Sequence, residues 1–567
     1  MKLNFGRLDI DRCEEPIGPH PEQIRVLTYL ALASGYRGIG FWSDKFLSDQ
    51  LHGRDRLLEI ALLNAEMELL EPVLLNAQEP AKWYPTSHPM VKAAVIRGPK
   101  EVVVLPVWLG ENDQYCPQQG AVSSLTISVP LVPDGAIPWL ISPAGVDEIK
   151  DSRRVTAGTE ITIREFDTTA AIVFTTDLTE KGKVVRWQDN TRHKLSRTVA
   201  HWAREQATVQ YNKALAVHAK ILAAGGPNFP EANDLFCEAK KFIDRASLFT
   251  DNNQPDLAYR EARRALRPIR VLMREHWRRA VEPLDAPNAS PYAVSFFSLP
   301  RHWELTKYIQ QSRPGGNALA HGTFELGGPT PPDGAAVSSL PGWLTRKTFL
   351  DPVVGIASIV QTDGKDIIDP PADRDPFKPG RYFVPGRMVP TTADSIDAQP
   401  RPELGRHCLR LQILPKPVKE GEPKPPVALE RSFLAVDSPA AEFAPNSWVR
   451  ISFWVKIAKP GVLSSADGVL VYDSAGGEPL ALRLQHPGRW KEYHLYRQVP
   501  DTGKLGLTLA LTGMGTVYFD DVKIEPMTPF NPPPATSKSE TLPKPRPAPS
   551  GPSLPELLNK PRPLEGK

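Results

Sequence analysis

Apolar positions recur at helical spacing from Pro21 to Ala33 (Ile24, Leu27, Thr28, Leu30 and Ala31), and this period predicts an amphipathic helix. Gly35-Tyr36-Arg37-Gly38 interrupts it, and Ile39-Gly40-Phe41-Trp42 then reads as a short buried strand. A second helix is predicted from Gly53 to about Leu75, its stripe running through Leu57, Leu58, Ala61, Leu62, Ala65, Leu69 and Leu70, with Pro72 disturbing its end. Residues 1–90 are thus an αβα unit. From 91 to 180 the pattern turns to β character, with strands at Glu101–Trp108, Ser124–Val129, Glu160–Phe166 and Ala170–Thr175, and predicts a small β-sandwich.

Helical periodicity resumes at Gly182. Trp202, Val209, Leu215, His218 and Leu222 mark one helix, and Leu235, Phe236, Ala239, Phe242, Ile243, Ala246 and Phe249 the next. A third runs from Pro255 through Trp277, where Pro268 is expected to introduce a kink. Short links make residues 181–285 an antiparallel three-helix bundle. Residues 286–316 read as a linker to a second β-rich region, 317–528. There Val449, Ile451, Phe453, Val455 and Ile457 share one face, as do Leu505, Leu507, Leu509 and Leu511, and burial on one side implies antiparallel strands in a second sandwich. A stretch rich in Pro, Gly and Asp, about 350–404, interrupts it as an insertion. The fold class is a multidomain α and β chain.

Composition sharpens this picture. Among 567 residues 60 are proline, about 11% against a usual ~5%, so Pro-rich connectors or tails are required. The last 39 residues hold 12 of them, and residues 529–567 are expected to be disordered. Lys plus Arg total 68 against 65 acidic residues, a net charge of +3, too near neutral for a dedicated nucleic-acid binder. Cys13, Cys116, Cys237 and Cys408 lie far apart, without CxxC spacing, and are expected to be buried free thiols. The longest apolar run, Val102 to Leu109, is far short of a bilayer span and is broken by Pro106, and the amino end has no apolar export segment, so a soluble chain without membrane contact is expected.

Catalytic signatures are sparse. HExxH, GxSxG and GxxxxGK[ST] are all missing, and Gly35 to Gly40 follows a helix and enters a strand, the reverse of a phosphate loop. Asn288-Ala-Ser290 is followed by Pro291, which weakens it as a glycosylation sequon. The third bundle helix carries Arg260, Arg263, Arg264, Arg267, Arg270, Arg274, Arg278 and Arg279 as a stripe. No aromatic residues are interleaved for base stacking, so a solvated face paired with Glu231, Asp234, Glu238 and Asp244 is the expectation, not nucleic-acid binding.

The run from Pro21 to Asp44 resembles the closing helix and eighth strand of the (β/α)8 barrel in glycoside hydrolases of the β-galactosidase kind. The resemblance implies that Trp42 faces a sugar at the barrel mouth, with Ser43 and Asp44 beside it. The alternative is that Trp42 is a core aromatic of an unrelated α/β element. A complete barrel takes about 250 residues and spreads its catalytic carboxylates over several strands, so fewer than 90 residues hold an incomplete barrel remnant. Asp44, Glu59, Glu66 and Glu68 are no substitute for those carboxylates, because the last three lie on a helix whose apolar face is used in packing. No hydrolase activity is expected of this chain alone, and no catalytic residue is assigned.

Asn317 to Glu325, Pro341-Gly-Trp343, Gly405 to Leu411, Val449 to Lys456, Trp490 and Val517 to Ile524 occur in an order similar to carbohydrate-binding jelly rolls of the family 4, 9 and 22 type. His321 replaces the asparagine usual before the glycine. The resemblance implies a structural calcium held by Glu325 and Asp520, whose hard oxygens suit that ion; ordinary strand-end hydrogen bonding is the alternative. With Phe453 inward, Arg450, Ser452, Trp454 and Lys456 point outward, and Arg483 and Gln485 oppose Leu482 and Leu484. Arg450, Trp454, Arg483, Gln485 and Tyr496, with Tyr472 as a weaker member, form a candidate glycan-binding face, unless they pack against the insertion or a neighbouring domain. Three readings follow: a noncatalytic glycan-binding or accessory fragment related to multidomain glycosidases, part of a hydrolase whose barrel is truncated or supplied by another chain, or a scaffold for protein contacts. No cofactor is required, an oligosaccharide or polysaccharide is the expected ligand, and compartment is left open.

Overall fold

The computed structural model describes residues 19–41, 53–77, 81–109, 122–325, 335–348, 353–361, 383–384, 387–388, 405, 407–415, 433–459, 461–462 and 468–530. Helix α1 (Pro21–Ala33) opens with proline where a missing N–H costs nothing, and the Gln23 side chain accepts the His20 N–H at 2.8 Å. Helix α2 (Arg54–Leu74) follows. The expected strand at Ile39–Trp42 is corrected: residues 36–41 form no strand, and Tyr36 and Phe41 are exposed. An isolated strand leaves its backbone groups without a ladder. Among the described residues there is no closed barrel; α1 and α2 lie on a sheet. Trp42, Ser43 and Asp44 are outside the described residues.

That sheet has six antiparallel strands: β1 (Lys82–Pro85), β2 (Val91–Arg97), β3 (Glu101–Trp108), β5 (Ile137–Ser142), β6 (Gly145–Glu148) and β9 (Ala171–Thr175), in the order β1-β2-β3-β9-β5-β6. A three-stranded sheet, β4 (Val122–Val129), β8 (Gly158–Phe166) and β7 (Ser152–Val155), faces it. Val91, Ala93, Val95, Val102 and Val104 meet Leu125, Ile127 and Ile161 between the sheets. The alternate residues Ala94, Ile96, Val103 and Leu105 face Leu32, Leu63, Leu70 and Val73 of α1 and α2. Burial on both faces explains why β3 reads as an unbroken apolar run rather than an alternation.

Helix α3 (Lys183–Asn190) continues through a π-helical turn, Thr191–Leu195, into α4 (Ser196–Ala223), and α5 (Ala232–Asp251) and α6 (Pro255–Val281) pack against α4. α6 runs through Pro268. An alanine seam, Ala200, Ala203, Ala246, Ala258 and Ala262, lets these helices approach α2 at Leu62 and Ala65. The segment expected to be a plain linker is built: it holds α7 (Leu299–Gln310), and Phe296, Phe297 and Leu299 enter the core shared by α4, α5 and α6. Asn288 is buried and donates to the carbonyls of Leu480, at 3.2 Å, and Ala481, so its sequon is committed to packing.

The arginine stripe also departs from expectation. Arg270 is buried and Arg263 half-buried rather than solvated; Arg263 reaches Glu59, Arg270 reaches Asp167, Arg260 reaches Asp147 at 2.5 Å and Arg264 reaches Glu165. The third helix is therefore fastened to α2 and to the first pair of sheets. These four arginines find acidic partners in distant segments, whereas Arg278 and Arg279 pair with Glu275 of their own helix. Cys408 is buried as expected, whereas Cys237 is exposed; both are free, and Cys13 and Cys116 are outside the described residues.

The second β region has a seven-stranded and a five-stranded sheet. The first holds β10 (Ser312–Pro314), β11 (Ala335–Ala336), β13 (Val353–Gln361), β16 (His407–Pro415), β25 (Gly515–Pro529), β19 (Trp448–Ile457) and β22 (Lys491–Gln498), ordered β11-β13-β16-β25-β19-β22 with β10 also on β25. The second is β12 (Leu344–Thr348), β17 (Phe433–Asp437), β24 (Leu507–Leu511), β20 (Val469–Asp473) and β21 (Leu482–Leu484), in that order. Two short pairs complete it: β14 (Phe383–Val384) with β15 (Arg387–Met388), and β18 (Ala441–Glu442) with β23 (Lys504–Leu505). Leu409, Leu411, Ile451, Phe453, Val517 and Phe519 interdigitate with Leu434, Val436, Val469, Leu509 and Leu511 as one core. Most of the insertion, and all of the tail beyond Phe530, are outside the described residues.

Three devices position this unit. Arg497 spans the sheets to Asp473 at 2.6 Å and donates to the carbonyls of Asn288 and Ala289 at 3.0 and 3.1 Å, tying 288–289 to the sandwich. Gly322 lies so close to β25 that a Cβ would meet the Val522 carbonyl oxygen at 1.9 Å. A bulge sets Asp521 and Val522 opposite Phe453 alone, with Asp521 at φ 47°, so Phe519 and Val522 both turn inward.

Candidate functional site

The outward face of the seven-stranded sheet carries a second aromatic cluster that the inter-sheet core does not need. Register sets its rows. Ser358 pairs with Arg410, Arg410 with Tyr518 and Tyr518 with Lys456, so one row runs Ser358, Arg410, Tyr518, Lys456. Trp490, just ahead of β22, extends it, its ring centroid 6.5 Å from that of Tyr518. The row below holds Val360, Cys408, Asp520 and Trp454. Trp454 and Trp490 are only 3% and 4% exposed and pack with Val360 and Cys408, while Tyr518 is half-buried. Val354, Ile356 and Leu414 continue the face as exposed apolar groups.

Its charges are mostly balanced. Arg450 pairs with Glu525 at 2.8 Å and Lys523 with Asp521 at 2.5 Å. Arg410 meets no carboxylate among the described residues, and its buried Nε and the buried Ser358 Oγ have no hydrogen-bond partner there. Aromatic rims and convergent donors are the groups that can stack on and hydrogen-bond a flat polar molecule.

Of the residues singled out from sequence, Arg450, Trp454 and Tyr496 share this face, with Arg450 and Tyr496 as direct cross-strand partners. Arg483 and Gln485 do not join them. Arg483 lies on β21 of the opposite sheet and donates to the carbonyls of Ala481 and Glu478, both at 3.0 Å, and Gln485 follows the same strand. Tyr472 is on that sheet too, against Ala435 and Leu470. Alternation shows which side of its own sheet a residue takes, but not which sheet. Arg410, Ser358 and Tyr518 were missed, although Leu409 and Leu411 flank Arg410 as inward residues and Val517 and Phe519 flank Tyr518.

Glu325 and Asp520, the two carboxylates of the expected calcium site, each accept hydrogen bonds from the protein. The Glu325 carboxylate accepts the His407 backbone N–H at 2.9 Å and lies 2.8 Å from its Nδ1, and Asp520, 1% exposed, accepts the Asp521 N–H at 2.7 Å. Calcium takes about six to eight oxygens, and among the described residues no group of three His, Cys, Asp or Glu side chains converges to hold a metal. Both carboxylates make hydrogen bonds of the strand-end kind.

The other concentration of ionisable groups is buried under α1. Arg25 bridges Glu59 and Glu66, the latter at 2.8 Å; Tyr29 donates to Glu66 at 2.9 Å, Gln206 to Glu59 at 2.6 Å and Arg263 to Glu59 at 3.1 Å. Glu59 and Glu66 thus face inward, correcting the placement expected from the apolar stripe. Burial would raise the Glu59 carboxyl, but Arg25 and Arg263 with the Gln206 hydrogen bond hold it down at about 2. A carboxylate so firmly ionised does not donate a proton near neutrality, so this network is a fastening rather than an acid–base pair.

No family model matches the chain, and no curated protein matches it. Among solved structures, a tailspike protein of bacteriophage CBA120, solved as its enzymatically active domain, shares 12% identity over 37% of this chain and 21% of its own, with a TM-score of 0.20. The module TmCBM61, solved with β-1,4-galactotriose, shares 14% over 37% of this chain and 98% of its own, TM-score 0.20. A family 11 carbohydrate-binding module from Clostridium thermocellum, solved with a mixed-linked tetrasaccharide, shares 9% over 33% and 89%, TM-score 0.17.

Proposed function

We propose that the chain is a noncatalytic glycan-binding or accessory segment, and that its saccharide rests on the outward face of the seven-stranded sheet. The observation that carries this is the cross-strand row Ser358, Arg410, Tyr518, Lys456 and Trp490, outside the core of its own sandwich. A pyranose has an apolar C–H face and an equatorial belt of hydroxyls; Tyr518 offers a ring to the first, Arg410 and Ser358 donors to the second. The fold that accompanies this reading is a carbohydrate-binding jelly roll.

Burial separates two roles within the face. Trp454 packs, so Trp454→Ala is expected to lower stability by about 3 kcal/mol. Tyr518 is half-buried at the surface, so Tyr518→Ala is expected to abolish retention on a glycan array while shifting the melting temperature little. Glycan binding unaffected by Tyr518→Ala would place the site elsewhere.

A further inference from the structure

Resting on the reading of this face as a saccharide site, we infer that its glycan is acidic, with a uronate carboxylate seated on Arg410 and Ser358 beside Tyr518. Arg410 and Ser358 are direct register partners on β16 and β13, so their side chains leave the sheet together. Ser358 is 2% exposed, and its Oγ has no partner among the described residues; Arg410 Nε is buried in the same condition. Two neighbouring donors left without acceptors mark a position where an acceptor belongs.

Charge selects the kind of acceptor. A guanidinium only donates and stays ionised, and it meets a planar carboxylate with two parallel hydrogen bonds. The neighbouring Arg450 and Lys523 already have Glu525 and Asp521, and Asp520 is engaged by the Asp521 N–H. Arg410 has no such partner among the described residues, and a neutral sugar would hydrogen-bond it while leaving its charge unbalanced. A uronate supplies both, and Tyr518, the cross-strand neighbour of Arg410, is placed to stack on the ring that bears the carboxylate. A sulfated sugar offers the same charge on a tetrahedral group, which fits the planar fork less well.

Calorimetric titration of the full chain with uronate oligosaccharides, their methyl esters and sulfated oligosaccharides tests this. The expected result is at least tenfold tighter binding of one uronate than of its ester, weakening with added salt, and loss of that preference in Arg410→Gln. Equal affinity for acid and ester, unchanged by Arg410→Gln, would overturn the acidic assignment and leave the saccharide reading standing. Preference for the sulfated sugar would overturn the carboxylate. Binding of none of the three, nor of neutral oligosaccharides, would overturn the reading of the face itself. Should Arg410→Gln fail to fold, the comparison of acid with ester on the unmodified chain still decides.

Discussion

Glu59→Ala is expected to destabilise the protein by about 3–5 kcal/mol, the cost typical of breaking a buried ion pair by removing one partner. Glu59 sits between Arg25 and Arg263 and also accepts from Gln206. Its removal leaves two guanidiniums facing each other away from water, with only Glu66 to balance Arg25. The loss reaches across the chain, because Arg25 belongs to α1, Glu59 to α2, Gln206 to α4 and Arg263 to α6. Urea unfolding followed by circular dichroism measures it. Lys504→Ala, which removes an exposed pair with Glu442, is the control expected to leave the curve in place. A change below about 1 kcal/mol for Glu59→Ala would mean that packing alone holds these helices.

Acid should unfold the helical half early. Burial, with Arg56 and Lys213 nearby, pushes the His20 imidazole down to about 3; burial brings His276 and His302 to about 4, with His218 and Arg279 adding to the effect at His276. Each is neutral in the native state, whereas the unfolded chain takes up a proton near 6.5. The unfolded state therefore binds more protons between about pH 6.5 and 4, and stability falls as pH falls through that window, on the order of 9 kcal/mol for the three together. Glu59, with its native value lowered, loses its own contribution below about 4.5 in the same direction. Glu22, whose carboxyl burial raises, works in the opposite sense. Thermal unfolding at pH 7, 6, 5 and 4 should show the decline, and His302→Gln should flatten it; a constant melting temperature across that range would contradict the assignment.

What the sequence made legible follows from local period. Alternation around Phe453 turns Arg450, Trp454 and Lys456 to one side, and the structure has them outward. Helical spacing finds α5 and α6 because their apolar stripes repeat within single segments, whereas in α4 the expected stripe residues Leu215 and Leu222 are exposed and small residues such as Ala203 and Ala207 are buried instead. Pairing between distant segments left no such trace. Arg25 and Glu59 look like solvated helix residues until α1 and α2 are brought together, and the row through Ser358, Arg410 and Tyr518 exists only once β13, β16 and β25 lie side by side. Ile39 to Phe41 failed in the opposite way: the strand pattern is present, and among the described residues no neighbouring strand completes it.

A saccharide on the outward face of the seven-stranded sheet is the proposed function. Calorimetric titration of the full chain and of Tyr518→Ala with an oligosaccharide selected on a glycan array tests it most directly. Saturable binding by the unmodified chain, lost in a variant with the same melting curve, is the result this account predicts. The same affinity in both proteins would contradict it.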